Sequence, residues 1–183
     1  MVDLNRSHDL GNGPFPETPE EIFAEIGCRL VLLQDLEMYL AFVAKVIFES
    51  DSEKAREAIL KADNKTMGQL LNALRSKVEI SHDFDAALKR TLEARNTFVH
   101  EFSHIFNLKS ESGIRKAVNF LIKSMDDLEE VSNTLRAAIV IFGREKGVFD
   151  DELESNWRKY GDLTQLENLH IPKFHQKFKQ RKN

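Results

Sequence analysis

Arg95-Asn96-Thr97-Phe98-Val99-His100-Glu101-Phe102-Ser103-His104-Ile105 places two candidate chemistries in eleven residues. An arginine followed five residues on by a histidine joins a planar phosphate-binding fork to a side chain that exchanges protons near neutral pH. With Asn96 between them, Arg95 and His100 carry the groups needed to cleave RNA. His100, Glu101 and His104 also spell HExxH, which sets two imidazoles one helical turn apart for zinc and a glutamate beside them to polarise water. The first frame makes Arg95, His100 and Asn96 the catalytic candidates, and the second adds Glu101 and His104.

The zinc frame needs a third ligand. Its extended form, HExxHxxGxxH, fails because Asn107 stands where the glycine belongs and Ser110 where the last histidine belongs. Glu111, Glu129, Glu130 and Glu145 are downstream carboxylates without a supporting motif. Zinc hydrolases of this type also use a strand-rich subdomain, and no strand pattern is present. The expectation is therefore no metal and no cofactor.

At about 100° per residue, Phe84, Leu88, Thr91, Leu92, Phe98, Val99, Phe102 and Phe106 form one apolar arc on a helix. Arg95 falls near the middle of that arc. A buried guanidinium requires a carboxylate, a dipole or a ligand, and Asp35 or Glu37 in the first helix could supply the carboxylate. Asn96, His100, Ser103 and His104 face the other way, toward solvent or a second subunit. Asn96 and His100 are one turn apart and able to meet, whereas Arg95 and His100 stand roughly 140° apart.

The elements that must position these residues are helical. Thr18-Pro19-Glu20-Glu21 is a capping box with proline at the first helical position. It opens a helix to about Ser50, with Ile22, Ile26, Leu30, Leu33, Leu36, Leu40, Val43 and Ile47 on its stripe and Phe23, Val31, Leu32, Phe42 and Val46 widening it. A short helix from Asp51 or Ser52 to about Ala62 follows. Another runs from Thr66 to about Val78, with Thr66 and Gln69 as a second capping box. Ser81 caps a long motif helix to about Asn107. After a turn at Lys109 to Gly113, a fifth helix spans Ile114 to Phe142, and Gly143 and Gly147 end it.

The expected fold is an all-α antiparallel bundle of about five helices over residues 18–149. Residues 1–17, with Gly11, Gly13, Pro14 and Pro16, read as a flexible N-terminal arm. Residues 150–183 form an extension, acidic around Asp150 to Glu154, with a short helix near Trp157 and Tyr160. It ends in a basic tail solvated in the plainest case. Phe174 and Phe178 among its lysines would suit a phosphate-contacting arm.

A net charge of −4 argues against a protein that coats nucleic acid with its whole surface, so any RNA would have to meet a local basic patch. The single cysteine, Cys28, has no internal disulfide partner and points to a reducing compartment. No secretory leader is visible. The most apolar stretch, Leu30 to Phe48, is interrupted by Gln34, Asp35, Glu37 and Lys45, which argues against a membrane span. A cytoplasmic location is expected.

The segment from Thr66 to Phe106 resembles the HEPN superfamily of helical bundles, particularly small bacterial members. In these a helix like Thr66-Met67-Gly68-Gln69-Leu70-Leu71 precedes one ending in Arg95-Asn96-Thr97-Phe98-Val99-His100. The likeness spans about Pro19 to Phe142. It implies a homodimer with its motif helices facing across a groove and, in active members, a metal-independent endoribonuclease of a toxin–antitoxin or phage-defence type. His100 would be general acid or base, Arg95 would hold the scissile phosphate, and Asn96 would orient His100 or a phosphate oxygen. The 2′-hydroxyl would attack, leaving a 2′,3′-cyclic phosphate and a 5′-hydroxyl. Other members are non-catalytic regulatory or interaction proteins, so the possible partners are RNA, an antitoxin or a regulatory protein. A zinc hydrolase through HExxH is the third reading.

Overall fold

The computed structural model describes residues 16–48, 66–147, 151–160 and 163–180. In chain order these form α1 (Pro19–Phe48), α2 (Met67–Lys77), β1 (Val78–Ile80) and α3 (His82–Asn96). A π-helical turn (Thr97–Glu101), α4 (Phe102–Ile105) and α5 (Glu111–Glu145) follow. The chain closes with α6 (Asp151–Tyr160), α7 (Leu163–Gln165), a second π-turn (Leu166–His170), α8 (Ile171–Lys177) and β2 (Phe178–Gln180). The architecture is all-α, with one three-residue antiparallel ladder between β1 and β2 that no strand periodicity announces. The helix expected near residues 51–62, and nearly all of the N-terminal arm, lie outside the described residues.

Local chemistry sets the helix ends. Thr18 Oγ1 accepts from the Glu21 amide at 3.2 Å while Glu21 Oε2 accepts from the Thr18 amide at 3.1 Å, completing the first capping box. Thr66 and Gln69 form the second in the same way. Ser81 occupies the cap position of α3 without a side-chain bond. Ser110 Oγ accepts from the Gly113 amide at 3.2 Å, so α5 begins at Glu111 and takes in residues expected in a turn. Gly143 is buried inside that helix. Gly147, at φ +62°, adopts the left-handed conformation after α5 and donates its amide to Arg144 O at 3.1 Å.

On α1 the buried stripe is Ile22, Ile26, Arg29, Leu33, Leu36, Leu40 and Val43. Position 29 therefore takes the place that periodicity gave to Leu30, which is half-buried. Phe23 and Val31 remain more than half exposed, so they do not widen the stripe. Residues Ala117, Leu121, Leu128, Val131, Leu135 and Ala138 of α5 supply the facing core. Helices α3 and α5 run antiparallel: Arg90 of α3 pairs with Asp127, and beyond the end of α3, in the π-turn, Phe98 meets Phe120.

The basic C-terminal segment departs most from expectation. Over residues 163–180 it is packed and not a solvated tail. Phe174 stacks on Phe178 with centroids 4.9 Å apart and meets Phe142 edge-on at 5.5 Å, while Phe178 meets Phe84 at 5.2 Å. Both rings belong to the main core and are closed to a nucleic-acid strand. Lys177 Nζ donates to Glu130 and Thr134, each at 2.9 Å, and sits over the Phe84 ring. Apolar burial outweighs the lysines because two phenylalanines four residues apart give the segment a face that only the bundle can cover.

Upstream of it, Arg144, Glu154, Arg158 and Glu167 join the end of α5, α6 and the second π-turn in one ion-pair network, with contacts of 2.7–3.2 Å. Arg158 and Arg144 hold the Glu154 carboxyl below its usual range, and Arg144 does the same for Glu167. Phe174→Ala should lower unfolding stability in urea by about 3–5 kcal/mol, the usual cost of emptying a phenylalanine site in a core. A solvated tail would leave the unfolding midpoint unchanged.

Candidate functional site

The motif is held by rings. Phe98, Phe102 and Phe106 all pack on Phe120 of α5, with centroid distances of 5.2, 6.5 and 5.3 Å. In an α-helix, side chains four residues apart drift by about 40°. A π-turn closes its hydrogen bonds at i→i+5, so each residue advances roughly 80° to 90° and four residues come close to one full circle. The π-turn at Thr97–Glu101 thus keeps Phe98 and Phe102 in phase, and their rings lie nearly parallel with an interplanar angle of 23°. At Glu101, φ −122° and ψ −10° mark where the backbone leaves the helical well before α4 resumes.

The same turn re-aims the polar residues. From Arg95 to His100 the angle shrinks from roughly 140° to roughly 100°, and Asn96 and His100 come nearly one above the other. Asn96, His100, Ser103 and His104 are all exposed, as the helical wheel predicts. Among the described residues, the Asn96 and His100 side chains make no hydrogen bond, so the contact expected between them is not formed. Val99, expected in the apolar arc, is 46% exposed.

Arg95 has a partner. Its Nε donates to Glu37 Oε1 of α1 at 3.2 Å, and both side chains are about 30% exposed. Of the two carboxylates considered from sequence, Glu37 takes the guanidinium. Asp35 is half-buried, and burial raises its carboxyl above the usual range. Because the Arg95–Glu37 pair is only half-buried, water still reaches the guanidinium, and the ion pair is weaker than a fully desolvated one.

The HExxH frame gains nothing from the fold. Glu101 and His104 are exposed on the same stretch of helix as His100. Among the described residues no group of three histidine, cysteine, aspartate or glutamate side chains is placed to hold a metal ion.

No family model, curated protein or solved structure matches this chain. What the site can do therefore rests on its own geometry. Among the described residues no helix is long and apolar enough to cross a membrane.

Two features escape a sequence reading. The first is the π-turn, whose only trace is the spacing of Phe98, Phe102 and Phe106. The second is Arg29 on α1, which is 5% exposed and donates to the Glu25 carbonyl at 3.1 Å and to the Glu25 carboxylate. Its Nε has no hydrogen-bond partner among the described residues. The spacing of Ile22, Ile26, Leu33 and Leu36 signals that position 29 is buried. Arg29, and not Arg95, is the arginine enclosed by the core.

The end of the motif helix is fixed against α5 by Gly113. A Cβ at that position would lie 1.9 Å from the Asn107 carbonyl oxygen and 2.6 Å from its carbon, so backbone would have to move. Gly113→Ala should lower stability by about 1–3 kcal/mol, the usual range for overpacking, with thermal unfolding as the measurement.

Proposed function

We propose that this chain is a HEPN-like, metal-independent endoribonuclease acting as a homodimer. The observation that carries the reading is the π-turn, which narrows the angle about the helix axis between exposed His100 and half-exposed Arg95 from roughly 140° to roughly 100°. RNA contains its own nucleophile in the 2′-hydroxyl, so the protein need only move protons and stabilise charge at phosphorus. His100 takes or gives the proton. Arg95 holds the scissile phosphate through its fork, and Asn96 orients the imidazole or a phosphate oxygen. The partner's copy of the motif supplies a second imidazole, so one acts as base and the other as acid. Val99 and Ile105, apolar and about half exposed on the motif helix, suit burial against a second copy.

The Arg95–Glu37 pair favours a second reading, a non-catalytic dimeric regulatory or interaction protein on the same fold. In that reading the guanidinium is a structural tie between α3 and α1, and the partner is an antitoxin or another regulatory protein.

Single-stranded RNA incubated with the protein and a chelator should yield 2′,3′-cyclic phosphate ends, and His100→Ala or Arg95→Ala should slow cleavage by about 100-fold or more. Cleavage unchanged in both variants would overturn the assignment. Glu37→Gln frees the guanidinium and should cost about 1 kcal/mol of stability or less while lowering the KM for RNA. In the non-catalytic reading the same substitution costs the stability and no RNA cleavage is seen with or without it.

A further inference from the structure

An RNA substrate needs a local patch of positive charge, because the chain as a whole carries a net charge of −4. Charge is segregated along the antiparallel pair that carries the motif. Residues 95–123 hold five lysines and arginines against two acids, whereas residues 124–145 hold five acids against two arginines. The first half of α5 is the basic half, and it lies beside the motif.

Helical spacing identifies which basic side chains line that junction. Phe120 of α5 packs on the three motif-helix rings, and Asp127 binds Arg90 of α3 at 2.6 and 2.8 Å. Positions 116, 120, 123 and 127 recur at intervals of four, three and four and so share one edge of α5. Lys116 and Lys123 therefore lie on the edge that faces the motif helix. Ile114, Val118 and Met125, outside that series, pack against the core. The antiparallel order sets Lys123 level with Arg95 and Asn96, and Lys116 level with the turn bearing Ser103 and His104. Both lysines are exposed, and among the described residues neither has an ion-pair partner. Beside Lys116 lies a shallow groove of about 320 Å3 lined by Glu111, Ser112, Arg115, Lys116 and Asn119.

We infer that the Lys116–Lys123 edge of α5 is a track for the sugar-phosphate backbone of single-stranded RNA, holding the strand alongside Arg95 and His100. The inference rests on the ribonuclease reading for its ligand. The lysines are seven residues, roughly 10 Å, apart along the helix axis, enough for separate phosphates of one strand. Point charges on long stems suit this task, since a track must bind phosphate without reading bases. The acidic half of α5 beyond Asp126 repels the strand and limits the track to the motif end.

The test measures binding apart from cleavage. A short fluorescein-labelled single-stranded RNA of mixed sequence is titrated into the His100→Ala protein at several salt concentrations, with anisotropy as readout. Adding Lys116→Glu and Lys123→Glu together should weaken binding about tenfold or more at low salt. Each phosphate contact on a single strand contributes about 0.7 to the slope of log affinity against log salt, so losing two should make that slope shallower by about 1.4. Lys173→Glu, the same reversal at an exposed position of α8, should leave both within error. Absence of RNA binding in the starting protein, no change on double reversal, or equal weakening by Lys173→Glu would overturn the track. Cleavage by the unaltered protein is assayed separately. Track-dependent binding without cleavage sinks the ribonuclease reading and leaves the track, whereas cleavage with binding indifferent to the double reversal does the opposite.

Discussion

Edge-on and tilted packing of Phe98, Phe102 and Phe106 against Phe120 is the contact on which the rest of the site depends. Aromatic burial is large and directional, and it fixes both the distance between the motif segment and α5 and the rotation of that segment about its axis. Once those rings face inward, Asn96, His100 and His104 must face outward. Once Phe120 is engaged, Lys116 and Lys123 must line the junction. The π-turn is the backbone's accommodation to the rings: it replaces one α-helical turn with a wider one, keeping Phe98 and Phe102 on the same neighbour.

The two unusual arginines have opposite surroundings. Arg29 is enclosed with Glu25 from its own helix, an arrangement that costs desolvation and leaves Nε without a partner among the described residues. Arg95 reaches across to Glu37 but remains wet, so an incoming phosphate can compete for its guanidinium with little loss of fold stability. Burial alone would single out Arg29. Access favours Arg95 in the proposed ribonuclease reading, since a group that meets a ligand must be reached by it.

The C-terminal segment shows how charge misleads where periodicity informs. Lys173 and Lys177 draw attention to solvent, yet Phe174 and Phe178, four residues apart, join the main core, and Lys177 follows them to Glu130. Long lysine stems lie along apolar surface while their ends find acids or water. The β1–β2 ladder then forms because Phe178 is anchored beside Ile80, an encounter between distant segments that local pattern does not encode.

Helix identity and most helix starts were legible from sequence because caps and apolar spacing are local: Thr18 with Glu21, Thr66 with Gln69, the stripes of α1 and α5. The outward face of Asn96, His100, Ser103 and His104 was legible for the same reason, as was the need of Arg95 for a carboxylate. Sequence by itself therefore determined an all-α chain and the composition of its candidate site. Only tertiary structure decided that Glu37 and not Asp35 meets Arg95, that the motif helix widens at Thr97–Glu101, that Arg29 is the enclosed arginine, and that the basic end is part of the core. Each of these depends on which neighbour arrives at a given face, and contact between residues far apart in the chain is settled by the packing of the whole bundle.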